Sequence, residues 1–134
     1  MRTIYTNISD ISPNQLSVNV VGTIVADSFN SLISSTSKDE EDDPVGEILI
    51  GDSSGCVTLL VTKRHMTALG ICEGAERFPA LVIKNVLPTI VFGRLRLELN
   101  RFSSVHGRHM EPILPNTANN ISLVDHDSLY NIVR

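Results

Sequence analysis

Between residues 15 and 100 the apolar positions alternate with polar ones far more often than they recur at helical spacing. In QLSVNVVGTIVAD, residues 15–27, Leu16, Val18 and Val20 alternate with Ser17 and Asn19, the period of a half-buried strand. Gly22 interrupts this run. A glycine there predicts a bulge or sharp bend, the device by which one long strand crosses both sheets of a small barrel. Residues 45–52 predict a second strand. Asp52-Ser53-Ser54-Gly55 is a four-residue turn with a glycine available for positive φ, so residues 56–62 return as the third strand of a hairpin. In that strand Val57, Leu59 and Val61 share one face, and Cys56, Thr58, Leu60 and Thr62 share the other.

The alternation stops at residues 63–69, KRHMTAL, which favour helix and end at Gly70. A short helix is predicted there. Gly74 marks a turn into a fourth strand over residues 77–87, with Pro79 where no ladder donor is needed and Pro88 at its end or at a bend. The clearest period of two lies in GRLRLELN, residues 93–100. Leu95, Leu97 and Leu99 go inward, and Arg94, Arg96, Glu98 and Asn100 go outward. After Phe102 the chain turns polar, with Pro112 and Pro115, and residues 120–133 regain apolar content as a cap on the barrel or a partner-binding tail. Five strands with one short helix between the third and fourth is the order of an OB-fold, a five-stranded Greek-key barrel, all β but for that helix. Its open face is built on strands two and three, between the loops joining strands one to two and four to five. The expected organisation is an OB-fold domain over residues 1–110, a mobile acidic loop at 28–44 within it, and a C-terminal extension at 111–134.

Length and composition fit this reading. The chain has 134 residues, 42% hydrophobic and 19% charged, enough for one domain with a modest core. Cys56 and Cys72 form no CxxC pair and no zinc spacing, so reduced thiols are expected. No apolar run is long enough for a membrane helix and the N-terminus has no apolar leader, so no membrane partner is expected and the location is nuclear or cytoplasmic. The net charge of −4 comes from one segment: residues 28–44 hold Lys38 against five acids, Asp39, Glu40, Glu41, Asp42 and Asp43. The rest of the chain is neutral, neither strongly attractive nor strongly repulsive to phosphate.

A surface that binds single strands needs flat aromatic faces for the bases and cations for the phosphates. Aromatics are only 4% of this chain. Phe92 and Phe102 are the best candidates to stack, with a role in the core or rim as the alternative; Phe78 reads as core and Phe29 as a loop anchor. Arg94 and Arg96 share an outward face about 7 Å apart, a spacing that suits phosphates; pairing of either with Glu98 is the alternative. Lys63, Arg64, Arg101, Lys84 and Arg108 are further cations, and Thr58, Leu60 and Thr62 form the floor on strand three. His65, His106, His109 and His126 make no metal set, and no cofactor is expected. With no nucleophile elbow and no phosphate loop, catalysis is not expected.

Three stretches carry a family likeness: ISPNQLSVNVVGTIV, ILIGDSSGCVTLLVT and EGAERFPALVIKNVLPTIVFGRLRLELNRF. They resemble the single-OB-fold proteins related to the DNA-binding subunit of the sensor of single-stranded DNA complex, and still more their uncharacterised plant and protist relatives. The likeness covers residues 11–102. It is most specific at Gly51-Asp52-x-x-Gly55 and at the spacing from Asn85 through Gly93-x-Leu-x-Leu to Arg101. Asn119-Asn120-Ile121-Ser122-Leu123 resembles the segment that ends the plant relatives. The resemblance implies binding of single-stranded DNA or RNA without catalysis. Family members stack bases at places that match Thr62, Leu87, Val91 and Glu98, none of them aromatic here, and Phe92 stands one position off. Two functions are therefore expected to compete: a single-stranded nucleic-acid-binding module of low sequence preference, or a protein-interaction subunit of a larger complex that keeps the barrel without base stacking. For the second, Leu60, Leu87 and the C-terminal segment supply an apolar patch.

Overall fold

A strand with one apolar face is stable only when that face is covered, and a small sheet covers it by closing on itself. The computed structural model, which describes residues 2–26, 28–31 and 42–126, does this with seven strands: β1 (Val18–Ile24), β2 (Asn30–Ser31), β3 (Pro44–Gly51), β4 (Cys56–Thr62), β5 (Ala80–Val91), β6 (Arg94–Glu98) and β7 (Ser104–Arg108). The neighbours run β1–β3–β4–β6–β5, and β5 returns to β1, which closes a five-stranded barrel. All pairings are antiparallel except β4 with β6. β2 adds to β3, and β7 adds to the first half of β5.

The alternating residues fill the barrel. Val20, Ile48, Ile50, Val57, Leu59, Ile83 and Leu97 are fully or almost fully buried, with Leu95 and Leu99 beside them. Each such side chain contributes about 1.5–3 kcal/mol relative to exposure. β1 changes partners where the sequence has Gly22: Gly22 pairs with Leu81 of β5, and Thr23 pairs with Gly51 of β3. A Cβ on Gly22 would stand 2.9 Å from the Gly51 carbonyl oxygen, so the bend needs a glycine.

Four expectations are corrected. The helix after β4 is only a 3-10 turn, Lys63–His65, followed by further turns to Gly70. His65 explains the tightness, because its ring is buried between the Thr62 hydroxyl (2.6 Å) and the Ser103 carbonyl (3.1 Å). The fourth strand runs to Val91, through Pro88 rather than ending there. By Pro88, β5 has left β1 and β7 and pairs only with β6, so one edge needs no donor. β7 was hidden by its polar text, where Val105 is buried and Gly107 lies under the Phe78 ring. The expected loop at 28–44 begins with a strand, β2, and most of the acidic run lies outside the described residues. Phe29, just before β2, packs on the core against Gly46.

Candidate nucleic-acid interface

The strand registers place the outward side chains in rows. Leu49, Thr58, Arg96 and Thr89 form one row across β3, β4, β6 and β5; Glu47, Leu60, Glu98 and Leu87 form the next. Arg94, opposite Val91, ends the face beside the β5–β6 hairpin. The face mixes sign evenly, and Arg96 pairs with Glu47 across the sheet (Nε to Oε2 3.9 Å), not with its strand neighbour Glu98.

The two ends of the face differ. At the end carrying the β3–β4 and β5–β6 hairpins, residues 116–126 cross from one hairpin to the other. Asn116 N–H donates to the Asp52 carbonyl (2.9 Å), Cys56 N–H to the Asn119 carbonyl (2.8 Å), and His126 N–H to the Gly93 carbonyl (2.8 Å). The buried Ser122 hydroxyl accepts from Thr58 N–H at 2.8 Å and donates to the Leu95 carbonyl at 2.6 Å, so it bridges the parallel strands β4 and β6. Both outward arginines serve this strap. Arg94 donates to the Leu123 carbonyl, and Arg96 to the Ser122 carbonyl at 3.4 Å. The strap also explains the Gly51-Asp52-x-x-Gly55 text. A Cβ on Gly55 would stand 2.7 Å from the Asn119 carbonyl oxygen, and one on Gly51 would stand 2.7 Å from Pro115. Under the same cover Cys56 is buried, and that burial, with the Asp52 charge second, pushes its thiol pKa up. Sequence reading missed the strap's hold on Arg94 and Arg96. Its one signal was the serine in Asn119-Asn120-Ile121-Ser122-Leu123.

Phe92 stands at the tip of the β5–β6 hairpin, 97% exposed. It takes φ 50 and Gly93 takes φ 78, the two positive values of a two-residue hairpin turn. The first position favours Asn, Asp or Gly, so a phenylalanine there is strained.

At the opposite end, β4 runs into Lys63 and Arg64, and β6 runs into Arg101 and Phe102. The parallel register and the His65 to Ser103 hydrogen bond bring these chain ends together. The Phe102 ring is 71% exposed, and the Arg101 guanidinium lies 5.0 Å from its centroid. Arg64 holds Asp42, at the head of β3, with Nε to Oδ1 2.8 Å and Nη2 to Oδ2 3.5 Å. The Asp42 carboxyl is held below the ordinary carboxylate range, first by that hydrogen bond, which outweighs the opposing cost of desolvation, and then by the weaker fields of Arg64, Arg101 and His65. The ten sequence candidates therefore divide. Thr58, Arg94 and Arg96 lie under or against the strap, and Phe92 beside it. Leu60, Lys63, Arg64, Arg101 and Phe102 gather at the other end. Thr62 is buried, with its hydroxyl committed to His65, and offers nothing to a ligand.

A hollow of ≈ 230 Å³ between Leu49, Thr58 and Asn120 is smaller than the usual 300–1,000 Å³ of small-molecule sites. Among the described residues, no three or more His, Cys, Asp or Glu side chains group so as to hold a metal ion.

No family model matches this chain, and no curated protein matches it. Solved structures do. A hypothetical protein of Arabidopsis thaliana is 16% identical over 94% of this chain and 88% of its own, with a TM-score of 0.66. The OB domain of a Methanosarcina mazei protein is 19% identical over 84% of this chain and 90% of its own, with a TM-score of 0.59. The fold is an OB-fold. A further OB-fold neighbour, a replication factor A-related protein of Methanobacterium thermoautotrophicum, is 17% identical over 83% of this chain and 94% of its own, with a TM-score of 0.54. In the OB-fold the binding face lies on the strands that are β3 and β4 here, flanked by the β1–β3 connection and the β5–β6 hairpin. Among the described residues, the strap takes one end of that face and leaves the other uncovered.

Proposed function

We propose that this OB-fold protein binds single-stranded DNA or RNA, with little sequence preference and no catalysis, at the open end of the β4–β6 face. The observation that carries the reading is Arg101 over the exposed Phe102 residue, at the end of the face where β4 runs into Arg64. A π-face and two guanidinium groups at one end of the face match what a base and its flanking phosphates require. The replication factor A-related neighbour supports the same reading, as does the sequence resemblance to the DNA-binding subunit of the sensor of single-stranded DNA complex. A nuclear or cytoplasmic setting, with protein subunits of a nucleic-acid-handling complex as further partners, agrees with it.

The test is fluorescence anisotropy of labelled oligo-dT and oligo-U at two salt concentrations. Phe102→Ala is expected to weaken binding at least about fivefold, because base stacking is worth roughly 1–3 kcal/mol. Arg64→Ala should weaken binding and lower the slope of log affinity against log salt by about 0.7, one phosphate contact on a single strand. Wild-type protein that stays unbound at high micromolar concentration in low salt refutes the reading.

One feature favours a second reading, a protein partner. Ile90, Phe92, Leu123 and Val124, all exposed, gather around the β5–β6 hairpin tip, where Arg94 donates to the Leu123 carbonyl and His126 N–H donates to the Gly93 carbonyl. Capture of the same protein from nuclease-treated extract by wild type, and its loss with Phe92→Ala, would support it.

A further inference from the structure

Arg64, Arg94 and Arg96 each meet an internal acceptor, but the acceptors are of two kinds. Arg94 and Arg96 donate to main-chain carbonyls of the strap, and the half-buried Glu47 carboxylate also lies 3.9 Å from Arg96 Nε. That strap is anchored by the buried Ser122 hydroxyl and by the close approach at Gly51 and Gly55, so the acceptors of these arginines are held in place by the barrel itself. Arg64 instead holds a carboxylate at the surface, in a pair whose side chains are 41% and 42% exposed. Exposed pairs of this kind contribute little net free energy, so opening one leaves the core undisturbed.

We infer that Arg64 and Arg101 form a phosphate subsite at the open end of the face, and that the Asp42 carboxylate occupies it when no strand is bound. This rests on the nucleic-acid reading above and says where the strand's phosphate goes. The geometry is that of anion recognition: Nε and Nη2 of Arg64 reach the two oxygens of one carboxylate, and the same fork fits two oxygens of a phosphodiester. Arg101 lies over Phe102 just after β6. At this end of the face β4 runs into Arg64, and the His65 to Ser103 hydrogen bond ties the two chain ends together, so the subsite adjoins a stacked aromatic. Asp42 is also tethered short. It stands two residues before Pro44, which pairs with Thr62, and Thr62 leads directly into Lys63 and Arg64. A competitor so tethered acts at a high effective concentration and is displaced only by a strand that brings further contacts, here the base on Phe102.

The experiment uses the full chain and compares wild type, Asp42→Asn, Arg64→Ala and the double variant. Asp42 is exposed, so its amide leaves the fold in place. Labelled oligo-dT is titrated at low salt, and inorganic phosphate is titrated separately while the Arg64 Nε–H resonance is followed. Asp42→Asn is expected to bind the oligonucleotide roughly threefold to fivefold more tightly, the scale of one exposed ion pair. In the Arg64→Ala background the same change should give no gain. Wild type and Asp42→Asn binding equally well would overturn the inference and leave the nucleic-acid reading standing. Failure of both to bind the oligonucleotide would overturn that reading and the inference with it. Phosphate moving the Arg64 resonance, with no oligonucleotide gain from Asp42→Asn, would mark a site for free phosphate and overturn its assignment to a strand.

Discussion

Phe92 concentrates the residue-scale tension in this protein. It holds φ 50 at a hairpin tip while burying almost nothing. A left-handed conformation costs an ordinary L-residue about 1–2 kcal/mol, and Asn tolerates it far better. Phe92→Asn is therefore expected to raise the unfolding free energy by about 1 kcal/mol in urea titration. A fall would show that the ring has packing partners after all. The sequence displayed this residue as a candidate stacker but not its backbone, because a phenylalanine before a glycine carries no turn signal of the Asn-Gly kind. Asn85, by contrast, announces itself. It takes φ 58 at the bulge where the register of β1 on β5 shifts, and its N–H donates to the Asn19 side chain at 2.9 Å. Asparagine is the residue that tolerates that conformation best after glycine.

At the scale of elements, five of the seven strands were legible, three from period-two alternation and two, residues 45–52 and 77–87, from apolar runs bounded by turn residues. β2 and β7 escaped because they are add-on strands with little apolar text: β2 is two residues, Asn30–Ser31, and β7 is SVHGR. The apolar text at residues 120–133 offered a cap on the barrel, but the strap's hold on the arginines escaped for a different reason. Beside Ile121 on the core, that hold is made of main-chain groups, the Asn119 amide, two guanidinium groups and the Ser122 hydroxyl, polar partners that leave no hydrophobic pattern. Its anchor is nonetheless testable. Ser122→Ala leaves the Thr58 N–H and the Leu95 carbonyl without this partner in a buried place, a loss worth about 1–3 kcal/mol. The expected result is that much destabilisation, with faster amide exchange at Thr58. An unchanged exchange rate would show the hydroxyl to be dispensable.

For the whole molecule, the sequence predicted the closed barrel and the acidic segment but not the division of the cations. Two arginines one residue apart on a leucine-backed strand read as a phosphate track, and only the packing of residues 116–126 turns them into structural donors. Arg96→Ala is accordingly expected to lower stability by about 1 kcal/mol, the worth of a typical hydrogen bond. It should leave the salt slope of oligonucleotide binding unchanged, whereas Arg64→Ala should do the reverse. A salt slope that falls with Arg96→Ala would return the strand to the strap end. On the proposed reading, the net charge of −4 sits largely in the segment that ends at Asp42 and Asp43, so a strand would have to displace part of that charge to reach Arg64.

The bridge made by Ser122 also bears on how the chain comes to fold. The one parallel seam of the cylinder, β4 against β6, is completed by a side chain more than sixty positions after Thr58. During synthesis the seam should remain unfinished until residue 122 has left the ribosome. Non-local pairing of this kind slows folding. A nascent chain halted before residue 122 should therefore stay protease-sensitive along β4 and β6, even with every strand already made.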